Sequence, residues 1–71
     1  MRFIEAVRKL DKLIGKTTYH CVSHEVTTYH NGDKIERKEL YAGDLGWYNG
    51  TTFEEAFEKL EQALAAAKQN A

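Results

Sequence analysis

The pair Asn31-Gly32 most limits what this chain can become, because both residues tolerate positive φ and so favour a tight reversal between two extended runs. On one side, Thr17 to His30 is rich in Thr, Val and Tyr, and the whole chain contains no proline. On the other, Lys34 to Tyr41 reads as the returning strand. Fourteen residues is long for one strand, so the first run is expected to bend or bulge. With Asn31 and Gly32 as the two central residues of a type I′ turn, His30 faces Asp33, Thr28 faces Ile35, Val26 faces Arg37, Glu25 faces Lys38, His24 faces Glu39 and Val22 faces Tyr41. One face then holds Val22, Val26, Ile35 and Tyr41. A three-residue turn with a G1 bulge shifts the pairing, setting Glu25 against Glu39 and Val26 against Lys38; the first register is the expected one.

Two helices flank the hairpin. Phe3, Ala6, Val7, Leu10, Leu13 and Ile14 recur at steps of three and four, which predicts a helix over 2–14 with Gly15 as its left-handed C-cap. Phe53, Ala56, Phe57, Leu60, Ala63, Leu64 and Ala67 repeat that stripe, with Glu55 and Lys59 spaced as an outward i, i+4 pair. The Ala-rich end, 63–71, has little left to bury, so its last residues are expected to fray. Between hairpin and second helix, Ala42-Gly43-Asp44 reads as a turn and Leu45 to Asn49 as a short third strand that brings Leu45 and Trp47 to the core. The expected fold is α+β: a two-layer α-β-β-β-α sandwich, a three-stranded antiparallel sheet with both helices on one face, as a single domain over 1–71. The other face stays open and displays Tyr19, Cys21, Tyr29, Lys38 and Leu40 among others.

A chain of 71 residues buries only about 60 per cent of its unfolded surface, and a lone Cys21 offers neither an internal disulfide nor a Cys-x-x-Cys zinc pair. Stability must come from packing, alone or with a partner. The lone thiol, the absence of an apolar run near 18 residues and the charged start Met1-Arg2-Phe3-Ile4-Glu5 indicate a cytoplasmic protein with no membrane contact. The net charge of −1 is uneven: 1–16 carries +3, 17–50 carries −2 and 51–71 carries −2. A basic docking patch could therefore lie on the first helix.

The segment Gly50-Thr51-Thr52-Phe53-Glu54-Glu55-Ala56-Phe57 starts the second helix. Either threonine can cap it, with Glu54 or Glu55 three residues on completing a capping box. Those glutamates, with Glu58, satisfy the helix dipole and repel a phosphate from this end. His20 and His24 have the spacing of zinc ligands on a helix, but on a strand that spacing separates the rings by about 13 Å. Cys21 points to the opposite face, so no metal is expected; His24 should lie near Glu39, and His20 and His30 at the surface or edge. A Cys21 nucleophile lacks a reachable base and an oxyanion hole. Glu54 with Glu55, and Glu58 with Glu61, lie outward with nothing to raise a pKa. No cofactor and no catalytic residue is expected.

The element order and length resemble the double-stranded-RNA-binding domain, whose first helix and second-helix N-terminus touch the duplex. The resemblance is one of topology without motif: the lysine-rich run that opens the family's second helix is replaced here by Gly50-Thr51-Thr52-Phe53-Glu54-Glu55. A nucleic-acid reading therefore rests on Arg2, Arg8, Lys9 and Lys12. Asp44-Leu45-Gly46 followed by Gly50-Thr51-Thr52-Phe53-Glu54-Glu55-Ala56 is similar to a segment of HicB-type antitoxins, over residues 44–64 only. Stacking of single strands on Tyr19 and Tyr29 meets Glu25 and Glu36 on the same face and has no RNP-type motif behind it. The function expected first is a non-enzymatic protein-binding module, a regulator or inhibitor or a homodimer, acting through the open face at Tyr19, Cys21, Tyr29, Lys38 and Leu40. Its size is also compatible with a phage or prophage accessory protein. Weak nucleic-acid binding through the first helix, or an antitoxin-like fragment, are the alternatives.

Overall fold

In the computed structural model, which describes residues 1–15 and 18–69, the apolar stripes and the hairpin signal become α1 (Phe3–Ile14), β1 (His20–Thr28), β2 (Lys34–Ala42), β3 (Trp47–Gly50) and α2 (Phe53–Gln69), with a single 3₁₀ turn at Gly43–Leu45 between β2 and β3. The sheet is antiparallel in the order β1-β2-β3. With α1 packed against β1 and α2 across β2 and β3, the α-β-β-β-α sandwich is the expected one. The proposed strand start at Thr17 lies outside the described residues, as do residues 70–71 of the fraying end. The third strand begins two residues later than expected, because Gly43–Leu45 coils first.

The hairpin register differs from expectation. Gly32 has φ +93° whereas among the described residues no non-glycine residue has positive φ, so Asn31 does not adopt the conformation a type I′ turn requires. Instead the Gly32 N–H donates to the Tyr29 carbonyl at 2.9 Å and the Tyr29 N–H to that of Asp33 at 2.8 Å. The turn is thus a three-residue loop with glycine in the bulge position. The Asn31 side chain holds it, accepting the Asp33 N–H at 3.0 Å and donating to the Asp33 carboxylate at 3.0 Å. Pairing follows as Thr27 with Ile35, Val26 with Glu36, Glu25 with Arg37, His24 with Lys38 and Val22 with Leu40. This is one residue from the type I′ register, in the direction opposite to the shift that would oppose Glu25 and Glu39. It continues unbroken over all nine β1 residues, without the anticipated bulge.

A slip of one residue exchanges the faces of a strand. Leu40, expected on the open face, is fully buried under the helices, and Lys38 lies on that side too, its ammonium 5.1 Å from the Phe53 ring centre. Conversely Tyr41, Trp47 and Ile35, expected in the core, lie on the helix-free face, where Trp47 is 57% and Ile35 53% exposed. Leu45 does pack against the core, as expected. The core proper is Ala6, Leu10, Leu40, Ala42, Phe53, Ala56, Phe57 and Leu60. Of the α1 stripe, Ala6 and Leu10 are buried while Phe3 and Leu13 remain partly exposed.

Polar contacts fix the helices on the sheet. The Thr52 hydroxyl accepts the Glu55 N–H at 3.2 Å as N-cap of α2, and the Glu55 carboxylate takes the Thr51 N–H and hydroxyl, each at 3.2 Å. Glu55 is therefore occupied, and Lys59 donates to the Asn49 carbonyl at 2.7 Å rather than pairing with it. Gly15 ends α1 with φ +87° and ψ 166°, an extended glycine-only conformation rather than the expected left-handed turn, its N–H bound to the Asp11 carbonyl. His20 joins α1 to β1: Nε2 lies 2.6 Å from Asp11 Oδ1 and Nδ1 2.6 Å from the Thr18 carbonyl. Both partners are acceptors, so the ring donates from both nitrogens as an imidazolium. The Asp11 hydrogen bond, then the Thr18 carbonyl, hold its pKa above the ordinary histidine value.

The helices cover only part of the sheet. From Glu25 to Arg37 every residue is exposed, so the outer hairpin projects as a two-stranded arm beyond the sandwich. The molecule accordingly measures 49 × 22 × 19 Å. Its radius of gyration is 13.5 Å, against about 11 Å expected for a compact chain of this length.

Candidate protein-interaction surface

Strand alternation brings three aromatic rings together on the helix-free face. Tyr41 and Trp47 are directly opposed on β2 and β3, with ring centres 4.9 Å apart, and Tyr19, just before β1, packs against Tyr41 with ring centres 5.6 Å apart and planes tilted by 58°. Tyr19 is 75% exposed. Cys21 sits opposite Tyr41 on β1, half-buried at the margin of this cluster. From sequence, the type I′ register turns Tyr41 inward and a strand starting at Leu45 turns Trp47 inward, so neither ring is expected on this face.

The five residues assigned to the face from sequence do not form one site. Tyr19 and Cys21 belong to the aromatic cluster. Tyr29 lies at the end of the arm, eight residues along from Cys21 and so about 26 Å away. Lys38 and Leu40 are on the opposite side, Leu40 at 0% exposure.

Electrostatics separates two kinds of ligand. The strand charges on the open face are Glu25, Arg37 and Glu39, with the Arg37 guanidinium 3.6 Å from the Glu39 carboxylate. Carboxylates predominate, which disfavours a phosphate backbone lying across the rings. The basic set on α1 is also partly spent: Arg2 pairs with Glu5 at 2.9 Å, and Lys9 binds Glu61 at 3.1 Å and stacks over Phe57 at 4.7 Å. Arg8 and Lys12 have no ion-pair partner among the described residues. At the start of α2, the Met1 ammonium lies 2.7 Å from the Glu54 carboxylate and, with the helix N–H group, lowers its pKa. Carboxylates already occupy the position a phosphate would take.

The histidines are dispersed. His24 lies on the helix side, 3.7 Å from Glu36 rather than near Glu39, with its ring edge-on to Phe53 at 6.3 Å. His30 is exposed in the turn and His20 is clasped by Asp11. Among the described residues no three His, Cys, Asp or Glu side chains gather as a metal site. A recess of about 270 Å³ opens where β3 ends at Gly50 and the arm runs past it, between Ile35, Arg37 and Glu55. No helix among the described residues is long and apolar enough to cross a membrane. No protein-family model, curated protein or solved structure matches the chain.

Proposed function

We propose that the protein is a small non-enzymatic binding module that recognises another polypeptide through the ring cluster Tyr19, Tyr41 and Trp47. The observation carrying this reading is the mutual packing of three aromatic side chains on a helix-free sheet face whose charges are mostly acidic. Rigid aromatic side chains offer large contact areas at low entropic cost and are the side chains most enriched where protein partners bind. A role as regulator or inhibitor of a larger assembly suits a chain of this size. The nucleic-acid alternative finds less support, because two of its four candidate cations are engaged by the protein's own carboxylates.

Affinity capture from the encoding organism tests the proposal, comparing the native chain with Tyr19→Ala/Trp47→Ala and with Arg8→Glu/Lys12→Glu. The expected result is a specific protein retained by the native chain and by the α1 variant but lost, by at least about tenfold, from the aromatic variant, since about 1.4 kcal/mol of lost contact suffices. Salt-sensitive retention of nucleic acid that disappears only in the α1 variant would overturn it.

A further inference from the structure

We infer that β1 is the dimerisation edge of this protein, and that its occupant is the β1 strand of a second copy, paired antiparallel about His24. The inference uses a different surface from the aromatic cluster and does not depend on it.

Backbone parity comes first. Because the Tyr29–Asp33 pair is hydrogen-bonded, alternation makes the odd-numbered residues of β1 bond to β2, so the N–H and C=O groups of the even-numbered residues point away from it. Among the described residues nothing pairs with them, since β1 is an edge strand. An edge of nine residues, without proline or lysine, is long to leave unpaired. Two copies can join only in registers that set even residues against even residues. Pairing His24 with its symmetry mate does so, and it is the register that uses all nine residues of both strands.

Side chains agree with that register. It opposes Val22 of one copy to Val26 of the other, the second of which is 50% exposed in the single chain. Across the helix-side face the row becomes Tyr48, Leu40, Val22 and then Val26 of the second copy. Across the open face it becomes Trp47, Tyr41, Cys21 and then Thr27 and Ile35 of the second copy. Each arm, bare on its own, is thereby laid beside the covered half of the other copy.

Charge agrees as well. Residues 2–14 carry +2 (Arg2, Arg8, Lys9 and Lys12 against Glu5 and Asp11), and the arm, residues 25–37, carries −1 (Lys34 and Arg37 against Glu25, Asp33 and Glu36). In the symmetric pair the acidic arm of each copy runs alongside the β1 half over which the basic α1 of the other lies.

Sedimentation equilibrium of the native chain, with amide hydrogen exchange at low and high concentration, tests the inference. The expected result is a concentration-dependent mass reaching twice that of one chain, with exchange slowed at the amides of Val22, His24 and Val26 as the dimer forms. Val26→Lys, at an exposed position, should keep the native circular dichroism and weaken association about tenfold or more. Arg8→Glu, or raised salt, should weaken it less, and Trp47→Ala should leave it intact. A single-chain mass up to near-millimolar concentration would overturn the inference. So would a dimer that Val26→Lys leaves unchanged, or one whose Val22, His24 and Val26 amides exchange as fast as in the dilute chain.

Discussion

The inner and outer halves of the β1–β2 ribbon each carry a valine on the helix side, and the two valines end in different environments. Near its base Val22 faces Leu40, which is fully buried; farther out, on the same helix side, Val26 faces Glu36 and is 50% exposed. Length explains the difference. Twelve helical residues span about 18 Å, whereas nine extended residues span about 30 Å, so α1 runs out of helix before β1 runs out of strand. The Asp11–His20 contact fixes α1 at the inner end, and the whole shortfall falls on the turn side. An apolar residue in a strand therefore supports the core only where a helix reaches it.

The strongest attack on this contrast is Leu40→Ala, which should cost about 2–5 kcal/mol in urea unfolding. A cost near zero would mean that the inner half is not the core. Thr52→Ala removes the α2 cap and should cost about 1 kcal/mol, read in the same way, with the loss concentrated in α2 amide protection. The Asp11–His20 clasp sharpens the comparison through pH. Because the folded pKa of His20 is raised, the clasp adds stability that is complete below the unfolded value of about 6.5 and is lost as pH rises through the higher folded value. The urea midpoint should fall over that window, by less than the cap effect because Asp11 is half exposed, and Asp11→Asn should flatten the fall. A native slope identical to that of the variant would refute the imidazolium assignment. Smallest of all is Ile35→Ala, expected to change monomer stability by no more than about 0.5 kcal/mol when measured in dilute solution.

The helices, the hairpin and the two-layer order were legible in sequence because each depends on neighbours. Phe53, Ala56, Phe57 and Leu60 mark one face of α2 by spacing alone, and Thr52 with Glu55 caps it within a single turn. The turn was legible as a turn but not as a type. Asn31-Gly32 suits both a two-residue I′ loop and a three-residue loop with Gly32 in the bulge, and the Asn31–Asp33 hydrogen bonds belong to the second. That single choice moved Leu40 inward and Tyr41 outward. The candidate surface is therefore only partly legible: Tyr19 and Cys21 lie on the helix-free face as expected, Lys38 and Leu40 lie on the other, and Tyr41 and Trp47 are expected in the core.

Local chemistry in the sequence determined the elements, their order and the acidic guard at the start of α2, since propensity, capping and charge act over one or two turns. Tertiary structure decided which face of β2 is inside and how much of the ribbon is covered. Alternate registers differ little in local energy, and the burial term of about 25 cal/mol per Å² is gained only where the helices lie on the sheet. That term selects Leu40 over Tyr41 for the interior and leaves the arm bare.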